Sequence, residues 1–322
     1  MKAAVRRFSR LAAVLGGLGA LVSTGPAQGW SQTTHSTTGA IAWADLTKSD
    51  PDALAELVQI ARAHQDYPLF ERHTAKLSPA MKQRALFEWL ARWPDDIRGG
   101  PEDRPKWHYS LKVVSGRTWL WKIRNGEAME GFNANFRKLS DPCARPAERA
   151  KAIGWLIHIV GDVQQPLHGG HQMTATFPGT DEAGSRAFVR RFADAKPTDL
   201  HQYWDQMFED GRISPIGGDW AQAIAKAWPR SRIPELQRQG APIDLFGSYL
   251  VESETLARLV GYQGTFLKAV PEGQEAPVVT PLENRMALIL AERRVATSGY
   301  RIADMLAKAV RLARANRSVC PV

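Results

Sequence analysis

The stretch GWLIHIVGDVQQPLH, residues 154–168, most strongly limits what this chain can fold into. Its apolar residues leave no polar face at its centre, and a helix that is apolar all round is normally buried. His158 and Asp162 lie within it, four residues apart and therefore on one face of the helix. A buried carboxylate without a partner is very costly. The stretch therefore predicts either a hydrogen-bonded His–Asp pair in the core or a metal ion bound between the two side chains.

The rest of the chain also shows helical periodicity. Strand signals are sparse, and the best short candidate lies at 187–192. Loops containing glycine or proline are predicted at 99–105, 173–185 and 264–281. The pattern predicts a single compact domain that is mainly α, with few short strands. Apolar residues recur at helical spacing in segments 51–65, 79–93, 146–165, 219–228, 245–262 and 282–315.

The first 29 residues have the layout of a secretory signal peptide. A basic start precedes an apolar run at 11–22, and Ala27 and Gly29 place small residues before a cleavage point. An uncleaved anchor is the alternative, although the run is short for a membrane span. We expect a signal peptide over 1–29 and one folded domain over 30–322. The mature chain would be periplasmic or secreted, with no membrane span.

Cleavage after Gly29 would reduce the positive charge of the chain. Lys plus Arg would fall from 42 to 38 against 33 acidic residues, so the formal charge becomes +5 instead of +9. This modest excess favours an anionic substrate.

The chain contains two cysteines, Cys143 and Cys320. They form no CxxC pair, which excludes cysteine-based zinc and redox motifs. In an exported chain they are either joined in one disulfide or two unrelated thiols.

Histidine and aspartate recur in short motifs along the chain, and five of the eight histidines lie in them. Imidazole together with carboxylate suits zinc, with manganese or iron as alternatives. These ligands are too many for one tetrahedral ion, so we expect a multinuclear site. The other histidines, His64, His73 and His171, are expected to be packing or surface residues, although His171 is close to His168. The candidate ligands are His35, Asp95 in RWPDDIR, His108 in KWHYS, His158, Asp162, His168, and His201 with Asp205 in DLHQYWD.

These motifs resemble those of the S1/P1-type nucleases, zinc-dependent enzymes that prefer single strands and include 3′-nucleotidases. The resemblance runs from Trp30 to about Leu306. It implies that 30–322 is a zinc-dependent nuclease domain, mainly α and of the phospholipase C and nuclease type. The shared pattern is Trp with His five residues on, W-x-D-x-x-R, His-aromatic, H-x-x-x-D-x-x-x-P-L-H, L-H-x-x-W-D and the C-terminal SGYRIADML.

The resemblance also implies three zinc ions as cofactors. Asp162 would bridge two of them, and Trp30 would bind through its free α-amino nitrogen and its carbonyl oxygen. The three ligand sets would be Asp95, His108, His158 and Asp162; then Trp30, His35 and Asp162; then His168, His201 and Asp205.

The activity implied by the resemblance is hydrolysis of single-stranded DNA and RNA by a metal-bound hydroxide. The products would carry 5′-phosphates, 3′-nucleotides would also be substrates, and no stable protein partner is implied. Arg98 would bind the scissile phosphate and act in catalysis together with Asp162. Tyr109 stands where the family often has an aromatic residue that stacks on a base.

Two positions depart from the family pattern. Leu111 stands where the family commonly has aspartate, and Ala183-Gly184-Ser185 is the nearest match to a common Gly-Gly-Asn. DNA versus RNA and base preference therefore stay open. Two alternatives also remain, a phosphodiesterase of the zinc phospholipase C type and a zinc-binding protein with weakened catalysis. The spacing from Trp30 to His35, and aspartate as the last ligand, favour the nuclease.

Overall fold

The computed structural model describes residues 29–116, 124–209 and 219–316, together with 318 and 320. The expected signal peptide lies outside these residues, apart from Gly29. The structure is 63% helix and 6% strand, which confirms the mainly α class. Within the described residues there are ten α-helices: α1 Gln32–Ser49, α2 Pro51–Ala61, α3 Tyr67–Thr74, α4 Pro79–Asp96, α5 Ala128–Ser140, α6 Pro146–Asp162, α7 Leu200–Asp205, α8 Trp220–Ala227, α9 Pro242–Leu256 and α10 Pro281–Ala315.

Helix α6 lies at the centre of the molecule. It packs against α2, α4, α5 and α10, and every residue from 152 to 162 is buried. This confirms the expectation that the apolar stretch is buried on all sides. His158 and Asp162 are therefore held rigidly within the core.

Helix α1 crosses α4 and α10 at very short distances, and glycine permits both crossings. A Cβ atom at Gly39 would lie 2.4 Å from the carbonyl oxygen of Phe87 in α4. A Cβ atom at Gly299 in α10 would lie 2.5 Å from the Cβ atom of Ile41 in α1. These close approaches bring His35 on α1 against the centre of the molecule.

The strands form two small sheets. In the first, β1 Leu111–Gly116 lies between β2 Arg124–Asn125, which is antiparallel to it, and β3 Gly170–Met173, which is parallel to it. In the second, β4 Phe188–Val189 pairs with β5 Thr198–Asp199 in antiparallel orientation. The parallel pair is continued by a hydrogen bond of 3.0 Å from Ser110 N to His168 O. This hydrogen bond joins the segment that follows His108 to the backbone of His168.

The apolar core consists of two clusters of side chains. The first surrounds α6 and includes Trp93 and Trp155, and the second includes Trp30 and Trp204 beside α7. His158 and Asp162 extend from a helix of the first cluster, and His201 and Asp205 from a helix of the second. The candidate ligands thus lie where the two clusters meet.

Several elements differ from the sequence-based expectations. Helices α1, α3 and α5 were not predicted, and α1 shows why, because its buried face is largely Thr, His, Gly and Ala instead of large apolar residues. The segment 245–262 forms α9 followed by a π-helical turn at Ala257–Gly261. The strand expected at 187–192 is reduced to β4, whereas β1 and β3 were missed. Neither LKVVSG in β1 nor GHQM in β3 has the strict alternation of apolar and polar residues that predicts a strand.

Cys143 and Cys320 form a disulfide, with Cα atoms 5.4 Å apart. The bond joins the segment after α5 to the end of the chain beyond α10. Among the described residues, no helix is both long and apolar enough to span a membrane.

Candidate metal centre

Eight of the predicted ligand side chains converge in three groups within the described residues. In each group the ligand atoms lie within 4.8 Å of one another. His158 belongs to two of the groups, so these two are neighbours. The groups are His35, His158 and Asp162; Asp95, His108 and His158; and His168, His201 and Asp205.

Asp162, the last residue of α6, lies at the centre of the first two groups. Its Oδ1 atom is 3.1 Å from His35 Nε2, and its Oδ2 atom is 2.9 Å from His108 Nδ1 and 3.0 Å from His158 Nε2. The two oxygens therefore face different imidazoles, as required of a carboxylate that bridges two cations. Burial alone would raise the pKa of Asp162, but His158, His168 and His35 hold this pKa well below its usual range.

Asp95, in the last turn of α4, completes the second group. Its Oδ1 atom is 3.6 Å from His158 Nε2 and 3.8 Å from His108 Nδ1. Its Oδ2 atom is 3.7 Å from His35 Nε2, so the carboxylate faces both groups. Burial opposes ionisation, but the field of His158 and then of Arg98 lowers the pKa of Asp95 to about 2.

The neighbouring carboxylate, Asp96, is directed elsewhere. Its Oδ1 atom lies 3.2 Å from Arg92 Nη2, one helical turn earlier. Of the two adjacent aspartates, the structure therefore places Asp95 in the cluster, as the motif spacing predicts.

Three of the histidines are oriented by backbone carbonyl groups. A carbonyl oxygen can only accept, so the Nδ1 atom of each ring carries the hydrogen and Nε2 is left to face the group. Such a partner fixes the tautomer a metal ligand needs. The donor–acceptor pairs are His158 Nδ1 to Ala91 O at 2.7 Å, His168 Nδ1 to His108 O at 2.7 Å, and His201 Nδ1 to Ala183 O at 2.8 Å.

Two of the three side chains of the third group, His201 and Asp205, lie on the short helix α7. His201 Nε2 lies 3.2 Å from His168 Nε2 and 3.4 Å from Asp205 Oδ2. Gln165 Nε2 donates to Asp205 Oδ1 at 3.0 Å and so orients the carboxylate. Burial raises the pKa of Asp205 well above its usual value, and a bound cation would favour the ionised carboxylate. Gln165 was not singled out from the sequence, although it directly precedes the PLH motif.

The orphaned polar atoms of the first group fit a bound cation. His35 Nε2 and Asp162 Oδ1 are 3.1 Å apart, and neither atom has a well-aligned hydrogen bond within the described residues. Both side chains are 0% exposed. A buried imidazole nitrogen and a buried carboxylate oxygen that face a common point without well-aligned hydrogen bonds are typical of ligands around a metal ion. The donor set of imidazole and carboxylate suits zinc.

The backbone before Trp30 lies against this group. A Cβ atom at Gly29 would be 2.0 Å from Asp162 Oδ1. The Trp30 indole points away into the core, is 1% exposed, and donates from Nε1 to Gly161 O at 3.1 Å. Ser31 N also donates to Asp205 O at 3.2 Å. The indole is thus a packing group, and the Gly29–Trp30 segment lies beside the first group.

A sequence model of the S1/P1 nuclease family matches residues 30–311, nearly the whole chain. The chain belongs to the S1/P1 nuclease family. Members of this family are metal-dependent nucleases, which agrees with the three groups of candidate ligands. No protein in a search of curated sequences matches the chain.

In this member of the S1/P1 nuclease family, Arg98 lies beside the second group. Its Nε and Nη2 atoms donate to Asp95 Oδ1 at 2.9 Å and 2.5 Å. The side chain is 26% exposed, so it also reaches solvent. The contact uses one edge of the guanidinium and leaves the Nη1 group for another acceptor. Arg98 therefore contacts a candidate metal ligand, which the sequence did not indicate.

Tyr109 and Leu111 follow His108 on the way into β1. Tyr109 is half-buried, and its ring lies against Gly126, where a Cβ atom would be 2.5 Å from the ring. Leu111 is 5% exposed and begins β1. An apolar side chain thus occupies the position at which the family commonly has a carboxylate.

The counterpart of the Gly-Gly-Asn motif is a left-handed turn that contacts the third group. Glu182, Ala183 and Gly184 have φ values of 53°, 59° and 91°. Such values are favourable for glycine and unfavourable for residues with a Cβ atom. The turn is the one that supplies the carbonyl of Ala183 to His201.

The three remaining histidines lie outside the metal groups. His64 is buried edge-on against Trp89 and Trp93, and burial lowers its pKa to about 4. Burial also lowers the pKa of His171 in β3 to about 4, and His73 is exposed. Their surroundings agree with the packing and surface roles expected from the sequence.

Proposed function

We propose that this S1/P1 nuclease is an exported phosphodiesterase that binds three zinc ions and hydrolyses single-stranded DNA and RNA. Its products carry 5′-phosphates, and 3′-nucleotides are additional substrates. The observation that carries the proposal is the convergence of five imidazoles and three carboxylates in three buried groups. A stable core has no need for so many titratable side chains at one place.

The proposed ligand sets are those that the family resemblance implies. They differ from the first two groups in sharing Asp162 between two ions and in assigning His158 to the ion of Asp95 and His108. Asp162 would be a ligand shared by two ions, which is supported by the different imidazoles that its two oxygens face. The free α-amino nitrogen and the carbonyl oxygen of Trp30 complete the set around His35. The sets are Asp95, His108, His158 and Asp162; Trp30, His35 and Asp162; and His168, His201 and Asp205.

Zinc supplies Lewis acidity at such a centre, activating water near neutral pH and polarising a phosphate ester. The protein supplies the orientation of substrate. Arg98 donates from its free edge to a phosphoryl oxygen while its other edge holds Asp95, as a planar guanidinium can. Tyr109 stacks on an unpaired base, which favours single strands because a duplex hides its base faces.

Two further features support export and processing before Trp30. The family match begins at residue 30, and the peptide at Gly29 lies against Asp162. We propose that removal of residues 1–29 both releases the chain to the periplasm or medium and frees the Trp30 nitrogen beside the first group.

The test is metal analysis combined with a substrate panel on the chain that begins at Trp30. We expect about three zinc ions per chain and cleavage of single-stranded DNA, RNA and 3′-nucleotides. Chelation should abolish the activity and zinc should restore it. Asp95→Ala should lose metal and activity, whereas Asp96→Ala, at the adjacent carboxylate that faces Arg92, should keep both.

The same substrate panel, with phosphatidylcholine added, separates the alternative functions. Turnover of phosphatidylcholine with no cleavage of nucleic acid would assign the chain to lipid hydrolysis. A chain that holds zinc but cleaves none of these substrates would be a metal-binding protein, and the phosphodiesterase proposal would fail.

A further inference from the structure

The orientation of His201 depends on a turn that is unfavourable by itself. His201 Nδ1 donates to Ala183 O at 2.8 Å, which directs Nε2 toward His168 and Asp205. Ala183 has a φ of 59° and its predecessor, Glu182, a φ of 53°. Because both carry a Cβ atom, this backbone persists only where surrounding contacts hold it.

Asp181, which immediately precedes the left-handed residues, makes those contacts. Its side chain is 0% exposed. Its Oδ1 atom accepts hydrogen bonds from Gln172 N at 3.1 Å and from Tyr262 Oη at 3.2 Å. Its own N–H donates to Gln172 O at 3.1 Å. Asp181 is therefore hydrogen-bonded both to β3 and to the residue that follows the π-helical turn.

The same residue also closes the turn. The carbonyl oxygen of Asp181 accepts from Gly184 N and from Arg186 N, both at 3.1 Å. On the far side, Leu200 N donates to Gly184 O at 3.1 Å, and a Cβ atom at Gly184 would lie 3.0 Å from His201 N. The turn is thus held at Asp181 on one side and packed against the start of α7 on the other.

We propose that Asp181 is a positioning residue for the third metal group. By clamping the turn to Gln172 and Tyr262, it holds the Ala183 carbonyl where it fixes the tautomer and ring plane of His201. This inference rests on the proposed function only in taking His168, His201 and Asp205 as ligands of one ion. It predicts a role for a residue that touches neither metal nor substrate.

The test compares Asp181→Ala and Asp181→Asn with the wild-type chain in graded chelator and after cobalt substitution. Asp181→Ala should lose one of three ions at roughly 10- to 100-fold lower chelator concentration, the range seen when a metal ligand loses its outer partner. The visible absorption of its cobalt form should change as well. Asp181→Asn keeps an oxygen acceptor, and burial raises the pKa of Asp181 to about 7, so an uncharged group is tolerated and the loss should be much smaller.

Asp50→Ala is the matched control for lost stability. Asp50 also accepts a hydrogen bond from a backbone N–H, that of Ala53 at 2.9 Å, but it caps α2 and contacts none of the three groups. The Asp50→Ala variant should have a lower free energy of unfolding and unchanged metal retention. If Asp50→Ala loses the ion as readily as Asp181→Ala, the effect is general destabilisation and the proposal is wrong.

Tyr262→Phe provides a second arm if Asp181→Ala does not fold. It removes one donor to Asp181 Oδ1 while the residues of the turn and the Gln172 contact stay unchanged, so it should give a weaker loss of the same ion. Unchanged metal retention and cobalt absorption in both Tyr262→Phe and the foldable Asp181 variants would overturn the inference and leave the phosphodiesterase intact. A wild-type chain with fewer than three ions would instead overturn the third-ion assignment, and this inference with it.

Discussion

At the residue scale, Trp30 has two parts with separate surroundings. Its indole is buried and donates to Gly161 O at 3.1 Å. Its backbone nitrogen belongs to the segment that lies against Asp162. The indole therefore stabilises the core, whereas the nitrogen is a candidate ligand only after Gly29 has been removed, because an amide nitrogen is a poor zinc ligand.

A chain that keeps one methionine before Trp30 should lose one zinc ion and most of its activity. Trp30→Phe, with a free terminus, should keep three ions and lose about 1–3 kcal/mol of stability through its smaller ring and missing hydrogen bond. Zinc per chain and hydrolysis of single-stranded DNA are the measurements. Three ions and full activity in the methionine-extended chain would contradict the proposed role of the nitrogen.

Arg98→Lys should lower kcat on single-stranded DNA by roughly 10²- to 10³-fold, the range for loss of one donor to a developing charge. A lysine cannot hold Asp95 and offer a second planar edge to phosphate. The matched control is Arg92→Lys, whose partner Asp96 lies outside the groups. Equal kcat for Arg98→Lys and the wild type would show that Arg98 does not contact the phosphate.

Zinc binding at pH 7 should release at least one proton. In the metal-free chain, burial lowers the pKa of His158, but Asp162 and Asp95 raise it to about 9, above the ordinary 6.5. The stability from this proton is present below pH 6.5 and is lost as pH rises through about 9. Zinc requires the neutral imidazole, so its affinity should rise with pH until His158 is deprotonated at about pH 9. Calorimetry in two buffers of different ionisation enthalpy measures the release, and identical heats would contradict it.

At the element scale, the crossing of α1 over α4 brings His35 to Asp95. A Cβ atom at Gly39 would lie 2.4 Å from a backbone oxygen of α4, so the helices must separate to admit one. The position of His35 relative to Asp95 thus depends on a residue with no side chain.

Gly39→Ala should cost about 1–3 kcal/mol of unfolding free energy, as overpacking does, and weaken zinc retention in the first group. Gly247→Ala in α9 is the control, because its Cβ atom would meet only Met129 Cε at 3.6 Å. It should be neutral or stabilise the helix by about 0.5–1 kcal/mol. Urea unfolding measures the stability of both variants, and chelator titration measures their zinc retention. Equal stability and equal zinc retention in the two variants would contradict the role given to the close crossing of α1 and α4.

At the scale of the whole molecule, the disulfide closes a loop that contains almost the entire C-terminal half of the chain. Cys143 and Cys320 are 177 residues apart in sequence, and neither belongs to a metal group. The bond therefore acts on the stability of the fold and not on the chemistry of the site.

Replacing both cysteines with serine should lower the unfolding free energy by about 2–5 kcal/mol, mainly because the unfolded chain is less constrained. Zinc content and kcat of the folded protein should be unchanged. Urea unfolding with and without reductant, compared with the double variant, is the measurement. A loss of zinc in the folded variant would show that the disulfide also shapes the site.

Sequence alone determined the mainly helical class, the family, and the eight side chains that the structure brings together. These features are local, since His158 with Asp162 and His201 with Asp205 lie one helical turn apart and the motifs are short. Helix α1 was missed because its buried face is made of small and polar residues. Its burial depends on what packs against it.

Only the tertiary structure decided how these side chains are held. The sequence left the pairing of Cys143 with Cys320 open, and no sequence pattern predicts the hydrogen bond between Asp181 and Tyr262, because the partners are distant along the chain. Carbonyl groups that orient His158 and His201 belong to Ala91 and Ala183, and alanine carries no sequence signal for such a role. Side-chain chemistry can be read along the chain, whereas the backbone atoms that orient it are placed by packing between distant elements.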